Sequence, residues 1–254
     1  MQLKTRDEIE CLRRANAIVY EVLMTLQELV RPGITTKELD RKAEELTLKH
    51  KAQAAFLGYP AHSKNVAPFP GTICASVNEC IVHGIPNDHP LREGDILSID
   101  YGCKYQGWYG DSAITVPVGQ INAQASKLLE VTQKSLNLAI EECQPGRRIG
   151  DISNVVQQHV EINGFSVVRE FVGHGIGRNL HEPPHVPNFG RPGQGRIIRP
   201  GLVLAIEPMV TAGSFESRVL ADGWSAVAKD GSLAAHFEHS VAITENGPLI
   251  LSRP

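Results

Sequence analysis

A chain of 254 residues, 42% of them hydrophobic, can bury a full core and is too apolar for disorder. A net charge of −3, with acids and bases dispersed, leaves no basic stripe for nucleic acid and no polybasic patch for a membrane. No apolar run approaches the roughly 18 residues of a membrane span, and the opening MQLKTRDEIE is polar, so a signal segment is not expected and the cytoplasm is.

Thr5 and Glu8 form a capping-box pattern, after which Ile9, Leu12, Val19, Leu23, Leu26 and Val30 recur at helical steps. This long amphipathic helix stops at Arg31-Pro32-Gly33, and Thr35 with Glu38 starts a second helix running to about His50. The stretch Ala54 to Pro70 carries Tyr59-Pro60 and Phe69-Pro70 and reads as a surface loop. Strand alternation begins at Thr72, and the segment Arg92 to Thr115 reads as a β-hairpin bearing Asp100 and Asp111. By the period of two, Asp100 shares a face with Ser98, away from Ile99. The plan then repeats: a helix from about Ala123 to Cys143, a break at Pro145-Gly146, a helix from about Gly150 to Asn163, then strands.

The repeat extends to the residues. Arg92, Gly94, Leu97 and Ile99 align without gaps on Arg199, Gly201, Leu204 and Ile206, and Asp100 then meets Glu207. Asp111-Ser-Ala-Ile-Thr is likewise answered by Glu238-His-Ser-Val-Ala-Ile-Thr, with two extra residues. A repeat this long implies a duplicated half-domain rather than a solenoid. The expected architecture is α+β, one domain over 1–254 with pseudo-twofold helix-helix-strand halves at about 1–118 and 119–254, and antiparallel sheets meeting under four helices.

Pseudosymmetry then brings Asp100 and Asp111 to face Glu207 and Glu238 at the centre. Two like charges 4 Å apart repel by roughly 4 kcal/mol even at an effective dielectric of 20, so four converging carboxylates need cations. Two divalent ions would balance the four charges, and carboxylates can bridge such a pair. A nitrogen ligand is expected at His174, between glycines that let the backbone come close to a neighbour; a core histidine is the plain alternative. His181-Glu-Pro-Pro-His185 matches the HExxH string of zinc proteases, but two prolines forbid the helix that motif requires. Gly190 to Gly195 lacks the Lys-Ser/Thr of a phosphate loop and reads as a turn. The five cysteines are scattered without a CxxC pair, and most of them, Cys74 excepted, read as small buried residues in a reducing compartment.

Val82-His83-Gly84-Ile85-Pro86, the hairpin aspartates, Gly173-His174-Gly175, His181-Glu182, Ile206-Glu207-Pro208-Met209 and Phe237-Glu238-His239 together resemble the type I methionine aminopeptidases, in order over nearly the whole chain. The short separation of Glu207 and Glu238 leaves no room for the helical insertion of type II, and the minimal bacterial form is the expected one. The resemblance implies a pita-bread fold and removal of initiator methionine from nascent chains. Carried over, Asp100 is the bidentate ligand of one metal ion, His174 and Glu207 hold the other, and Asp111 and Glu238 bridge both. An oxygen-rich donor set with one imidazole suits Mn, Fe(II) or Co. A hydroxide between the ions is the implied nucleophile. Glu207 is the implied proton shuttle, His83 meets the substrate at the scissile amide, and His181 steadies its carbonyl oxygen. The implied methionine pocket falls on Phe56, Tyr59, Cys74, Leu180 and Trp224, with Phe56 where tyrosine is common and Leu180 where phenylalanine is. Ala61 to Pro70 is extra relative to the shortest members. The implied partners are nascent N-termini and, transiently, the ribosome; a monomer is expected. A proline-specific peptidase of the same fold, and a non-catalytic binding protein that has lost ligands, are the alternatives.

Overall fold

The computed structural model describes residues 2–61, 63 and 65–253; His62 and Lys64, inside the Ala61 to Pro70 stretch, lie outside the described residues. Four helices carry the outer layer: α1 (Arg6–Leu29), α2 (Thr36–Lys49), α3 (Ala123–Glu141) and α4 (Ile149–Ile162). Both expected capping boxes form, with Thr5 Oγ1 accepting from Glu8 N at 3.3 Å and Thr35 Oγ1 from Glu38 N at 3.1 Å. Each satisfies an amide that the first helical turn would otherwise leave without a partner. The turns that end α1 and α3 repeat in the backbone, since Gly33 and Gly146 both sit at φ +89°, a left-handed conformation suited to glycine.

The first half contributes β1 (Gln53–Ala54), β2 (Cys74–Val77), β3 (Cys80–Val82), β4 (Ile96–Tyr105) and β5 (Trp108–Pro117). The second contributes β6 (Ser166–Val167), β7 (Gly173–Gly175), β8 (Glu182–Val186), β9 (Val203–Ile206), β10 (Met209–Thr211), β11 (Ser217–Val219), β12 (Ala226–Ala228), β13 (Ala234–His236), β14 (Glu238–Thr244) and β15 (Gly247–Ile250). The antiparallel sheets of the two halves meet as expected, joined into one nine-stranded sheet running β1-β4-β5-β14-β9-β7-β8, with β2 on β4 and β15 on β14; β13-β10-β6 and β11-β12-β3 form two smaller sheets. The seam is β5 against β14, where Glu238 pairs with Ala113 and His239 with Ser112.

The helices cover one face of this sheet. Leu97, Ile99 and Tyr101 pack with Val19, Leu23 and Leu26 of α1, while Leu204, Ile206, Val241 and Ile243 pack with residues of α3 and α4. Strand alternation therefore turns Asp100 and its neighbour Ser98, together with Asp111 and Glu238, to the opposite face. There Ser98 Oγ lies 2.8 Å from Thr115 Oγ1.

The stretch expected as a surface loop is only partly so. Gln53 and Ala54 pair with β4, Gly58 N donates to Phe69 O at 2.8 Å, and Phe69 is buried. A phenylalanine among loop residues found a hydrophobic wall, so burial overrode the local turn chemistry. No described helix is long and apolar enough to cross a membrane.

The N-terminal strap adds a contact without a sequence signal. Lys4 Nζ lies 2.5 Å from Glu182 Oε2 with both side chains nearly inaccessible, and Lys4 N donates to Gly201 O at 2.6 Å. Breaking a buried pair strands its partner's charge, so Lys4→Met is expected to lower unfolding free energy by about 3 kcal/mol in a urea melt. A melt within about 0.5 kcal/mol of wild type would show that the pair contributes nothing.

Candidate active site

Four carboxyls meet where the two halves join. Asp100 and Asp111 come from the β4–β5 hairpin, Glu238 opens β14, and Glu207 directly follows β9. Asp111 and Glu238 are buried, while Asp100 and Glu207 keep a little exposure to the cleft. The backbone of Asp111 is anchored, its N–H donating to Asn16 Oδ1 at 3.3 Å and its carbonyl accepting from Ser240 Oγ at 2.8 Å. Burial, then the neighbouring acid charges, raise Asp100, Glu207 and Glu238 well above the ordinary carboxylate range. Burial carries Asp111 to about 7.

His174 stands on β7 between glycines for a steric reason. A Cβ on Gly173 would fall 2.5 Å from Ala205 O, and one on Gly175 would fall 2.7 Å from Pro183 O, so β8 and β9 leave no room for side chains there. His174 Nδ1 is 2.9 Å from Gly175 O, and a carbonyl can only accept, so Nδ1 carries the proton. Nε2 then turns its lone pair toward Glu207 Oε1 at 3.5 Å and Asp111 Oδ2 at 3.9 Å. Burial holds the imidazole near a pKa of about 3, hence neutral and fit to ligate.

The donors suit a divalent cation. Ligand atoms of Asp111, His174 and Glu238 lie within 4.8 Å of one another. Asp100 Oδ1, Asp111 Oδ1 and Glu238 Oε1 are buried without hydrogen-bond partners. Carboxylates in this state are stable when a cation supplies the missing interaction. Cys74 pairs with Asp100 across β2 and β4, but burial and the charges of Asp100 and Asp111 raise its thiol well above the usual range. It therefore presents a neutral sulfur rather than a thiolate.

A cleft of about 380 Å³ opens over these groups, lined by every residue singled out from the sequence: the four carboxyls, His174, His83, His181, Phe56, Tyr59, Cys74, Leu180 and Trp224. His83 adopts φ +60°, a conformation that a residue with a Cβ holds at some strain, and sets its ring edge-on to Phe171 at 5.4 Å. His181 packs against His174 with ring centroids 4.4 Å apart. Trp224 is half-buried in the cleft wall rather than in the core, edge-on to Phe69 at 5.2 Å, and its Nε1 donates to Ala67 O at 2.9 Å.

The family model for metallopeptidase family M24 matches residues 10–245. The chain belongs to metallopeptidase family M24. This M24 chain is 51% identical over 250 residues to a methionine aminopeptidase of Clostridium perfringens, covering 98% of each. Its fold is similar to the crystal structure of a methionine aminopeptidase from Thermotoga maritima, with a TM-score of 0.96, 43% identity and full coverage of both chains. The prolidase of Pyrococcus horikoshii shares the fold at a TM-score of 0.75 and 21% identity, with the M24 chain covering 63% of that larger protein. The M24 fold is the pita-bread arrangement: one curved antiparallel sheet with helices on its outer face.

The M24 site also contains groups that sequence reasoning passed over. Phe69, Val82, Phe171, Val172, His185 and Met209 line the cleft too. His185 belongs to the string rejected as a zinc motif; the rejection holds, because Glu182–Val186 is a strand. Buried His236 sets Nε2 3.8 Å from Glu207 Oε2, so each carboxylate oxygen of Glu207 faces an imidazole. Its place just before Phe237-Glu238 was the available signal. Asn16, inside α1, had none. Gly190 to Gly195 forms the expected turn, folded over the start of α4, where Gly193 N donates to Asp151 Oδ1 at 2.6 Å.

Proposed function

We propose that this M24 metallopeptidase removes N-terminal methionine from nascent proteins whose second residue is small. The observation that carries this reading is the junction of four carboxyls and one imidazole at the floor of a cleft whose walls are aromatic and sulfur-bearing. The full-length likeness to methionine aminopeptidases supports it. In this reading Asp100 would hold one divalent ion and His174 and Glu207 a second, with Asp111 and Glu238 shared between them. Mn, Fe(II) or Co suits such oxygen-rich donors.

Bound ions would supply a water ionised near neutral pH and a positive field for the scissile carbonyl. The remaining work belongs to the chain. Glu207 takes a proton from the attacking water and delivers it to the leaving amine. His83 hydrogen-bonds at the scissile amide nitrogen, and His181 donates to the carbonyl oxygen as charge develops there. Phe56, Tyr59, Cys74, Leu180 and Trp224 receive the methionine side chain, whose thioether suits an apolar wall containing a neutral sulfur. The whole chain acts as one catalytic domain. We place it in the cytoplasm as a monomer meeting nascent chains at the ribosome, a setting that its five free cysteines favour.

The decisive assay is methionine release from Met-Ala-Ser and Met-Leu-Ser with added Mn or Co. Met-Ala-Ser is expected to be cleaved at least tenfold faster, the scale on which a tight pocket discriminates added methylenes. Equal cleavage of both, or of neither, would overturn the reading, and preferential cleavage of Xaa-Pro dipeptides would replace it with a prolidase.

A further inference from the structure

His181 is held from two directions. Its Nδ1 lies 2.8 Å from the hydroxyl oxygen of Tyr59, whose ring stands edge-on at a centroid distance of 5.6 Å. The tyrosine is itself fixed by main-chain bonds, since Tyr59 N donates to Phe56 O at 2.8 Å and Phe69 N donates to Tyr59 O at 2.9 Å. On the other side the main chain after His181 is pinned. Glu182 meets Lys4, and Glu182 Oε1 accepts from Asn179 N at 3.1 Å. Gly177 leaves room for that arrangement, because a Cβ there would fall 2.5 Å from Lys4 Cε and 2.7 Å from Glu182 Oε1.

A neutral imidazole has one N–H and one lone pair, and the partner on one nitrogen decides which the other presents. A phenol is the better donor of this pair and imidazole nitrogen the better acceptor. Burial raises the Tyr59 hydroxyl above its ordinary pKa, so the proton to be donated is retained. A hydrogen bond from Tyr59 Oη–H to Nδ1 leaves Nε2 as N–H. The opposite tautomer would turn a lone pair toward an incoming carbonyl oxygen and repel it.

We propose that Tyr59 is a positioning residue, fixing His181 as the Nε2–H tautomer so that it donates to the substrate's carbonyl oxygen. The proposal rests on the function given above and adds a role to Tyr59 beyond walling the methionine pocket. The ring forms the wall, and the hydroxyl sets the proton. Removing one preorganised donor to a developing oxyanion costs about 10²- to 10³-fold, and freeing a tautomer loses part of that.

The test uses Tyr59→Phe, which keeps the ring and the pocket. For Met-Ala-Ser, kcat is expected to fall about tenfold while KM stays within about twofold of wild type, because the lost interaction belongs to the transition state. Nitrogen-15 NMR of the full chain loaded with diamagnetic Zn2+ at pH 8, with His181 assigned by its disappearance in His181→Gln, reads the tautomer directly. Wild type should show Nε2–H, and Tyr59→Phe a mixture. A wild-type Nδ1–H signal, an unchanged tautomer in Tyr59→Phe, or an unchanged kcat would overturn the proposal. If wild type releases no methionine while the spectra change as expected, the functional reading fails and the tautomer assignment stands.

Discussion

Asp111→Asn lowers kcat/KM for Met-Ala-Ser by about a thousandfold. The substitution is nearly isosteric, and the bonds that hold the residue, from its amide to Asn16 and from Ser240 to its carbonyl, are main-chain and survive. It removes a full negative charge from the centre of the donor set, where Asp111 lies 3.9 Å from His174 Nε2 and clusters with Glu238. A bridging carboxylate weakens both ions when lost, and several kcal/mol of transition-state stabilisation, at about 1.4 kcal/mol per tenfold, gives that factor. Titration calorimetry with Mn should show weaker binding in the same variant. A folding defect is told apart by the metal-free proteins. Removing one of four repelling acids should raise the melting temperature of chelated Asp111→Asn above that of chelated wild type. Activity near wild type would contradict the bridging role.

Chelation lowers the melting temperature at pH 8, and the chelated protein recovers stability as the pH falls to about 6.5. The sign follows from the carboxyls. In the metal-free fold Asp111 titrates at about 7, and Asp100, Glu207 and Glu238 are raised well above their ordinary values by burial and mutual charge. The folded state therefore binds more protons than the unfolded chain above about pH 4, and stability falls as pH rises through that window by about 1.4 kcal/mol per unit for each group that titrates. Below about pH 6.5 the histidines oppose this. Burial depresses His174 and His236 to about 3 and His239 to about 4, so the unfolded chain gains protons at these histidines and offsets part of the carboxyl effect. Chelated protein is therefore expected in calorimetry to melt a few degrees higher at pH 6 to 6.5 than at pH 8. Metal-loaded protein should do the reverse over this range, because protons compete with the ions for the same oxygens. A chelated melt that is flat or rises toward pH 8 would show that the four acids do not converge as a charged cluster.

Much of this centre was legible in the residues. Capping boxes at Thr5 and Thr35, and the turns at Gly33 and Gly146, are short-range devices, and all four formed where they were expected. The two-residue period turned Asp100 away from Ile99 without any knowledge of its partners. The echo of Arg92 to Asp100 in Arg199 to Glu207 brought acids from both halves to one place, and the glycines beside His174 marked a close approach that the strands β8 and β9 impose. The residues implied by resemblance for the methionine pocket also line the cleft.

What the sequence by itself determined was therefore the set of local elements, the duplication and the acids at the strand ends, because caps, turns and periodicity act over a few residues. Only the tertiary structure decided that β5 and β14 pair into one sheet, that Phe69 folds in to back Trp224, and that Lys4 reaches Glu182 beneath His181. It also placed Asn16 behind Asp111 and His236 beside Glu207. Those contacts join residues far apart in the chain, and no local propensity encodes them. They depend on how two covered sheet halves close against each other, which is a property of packing and not of any single stretch of sequence.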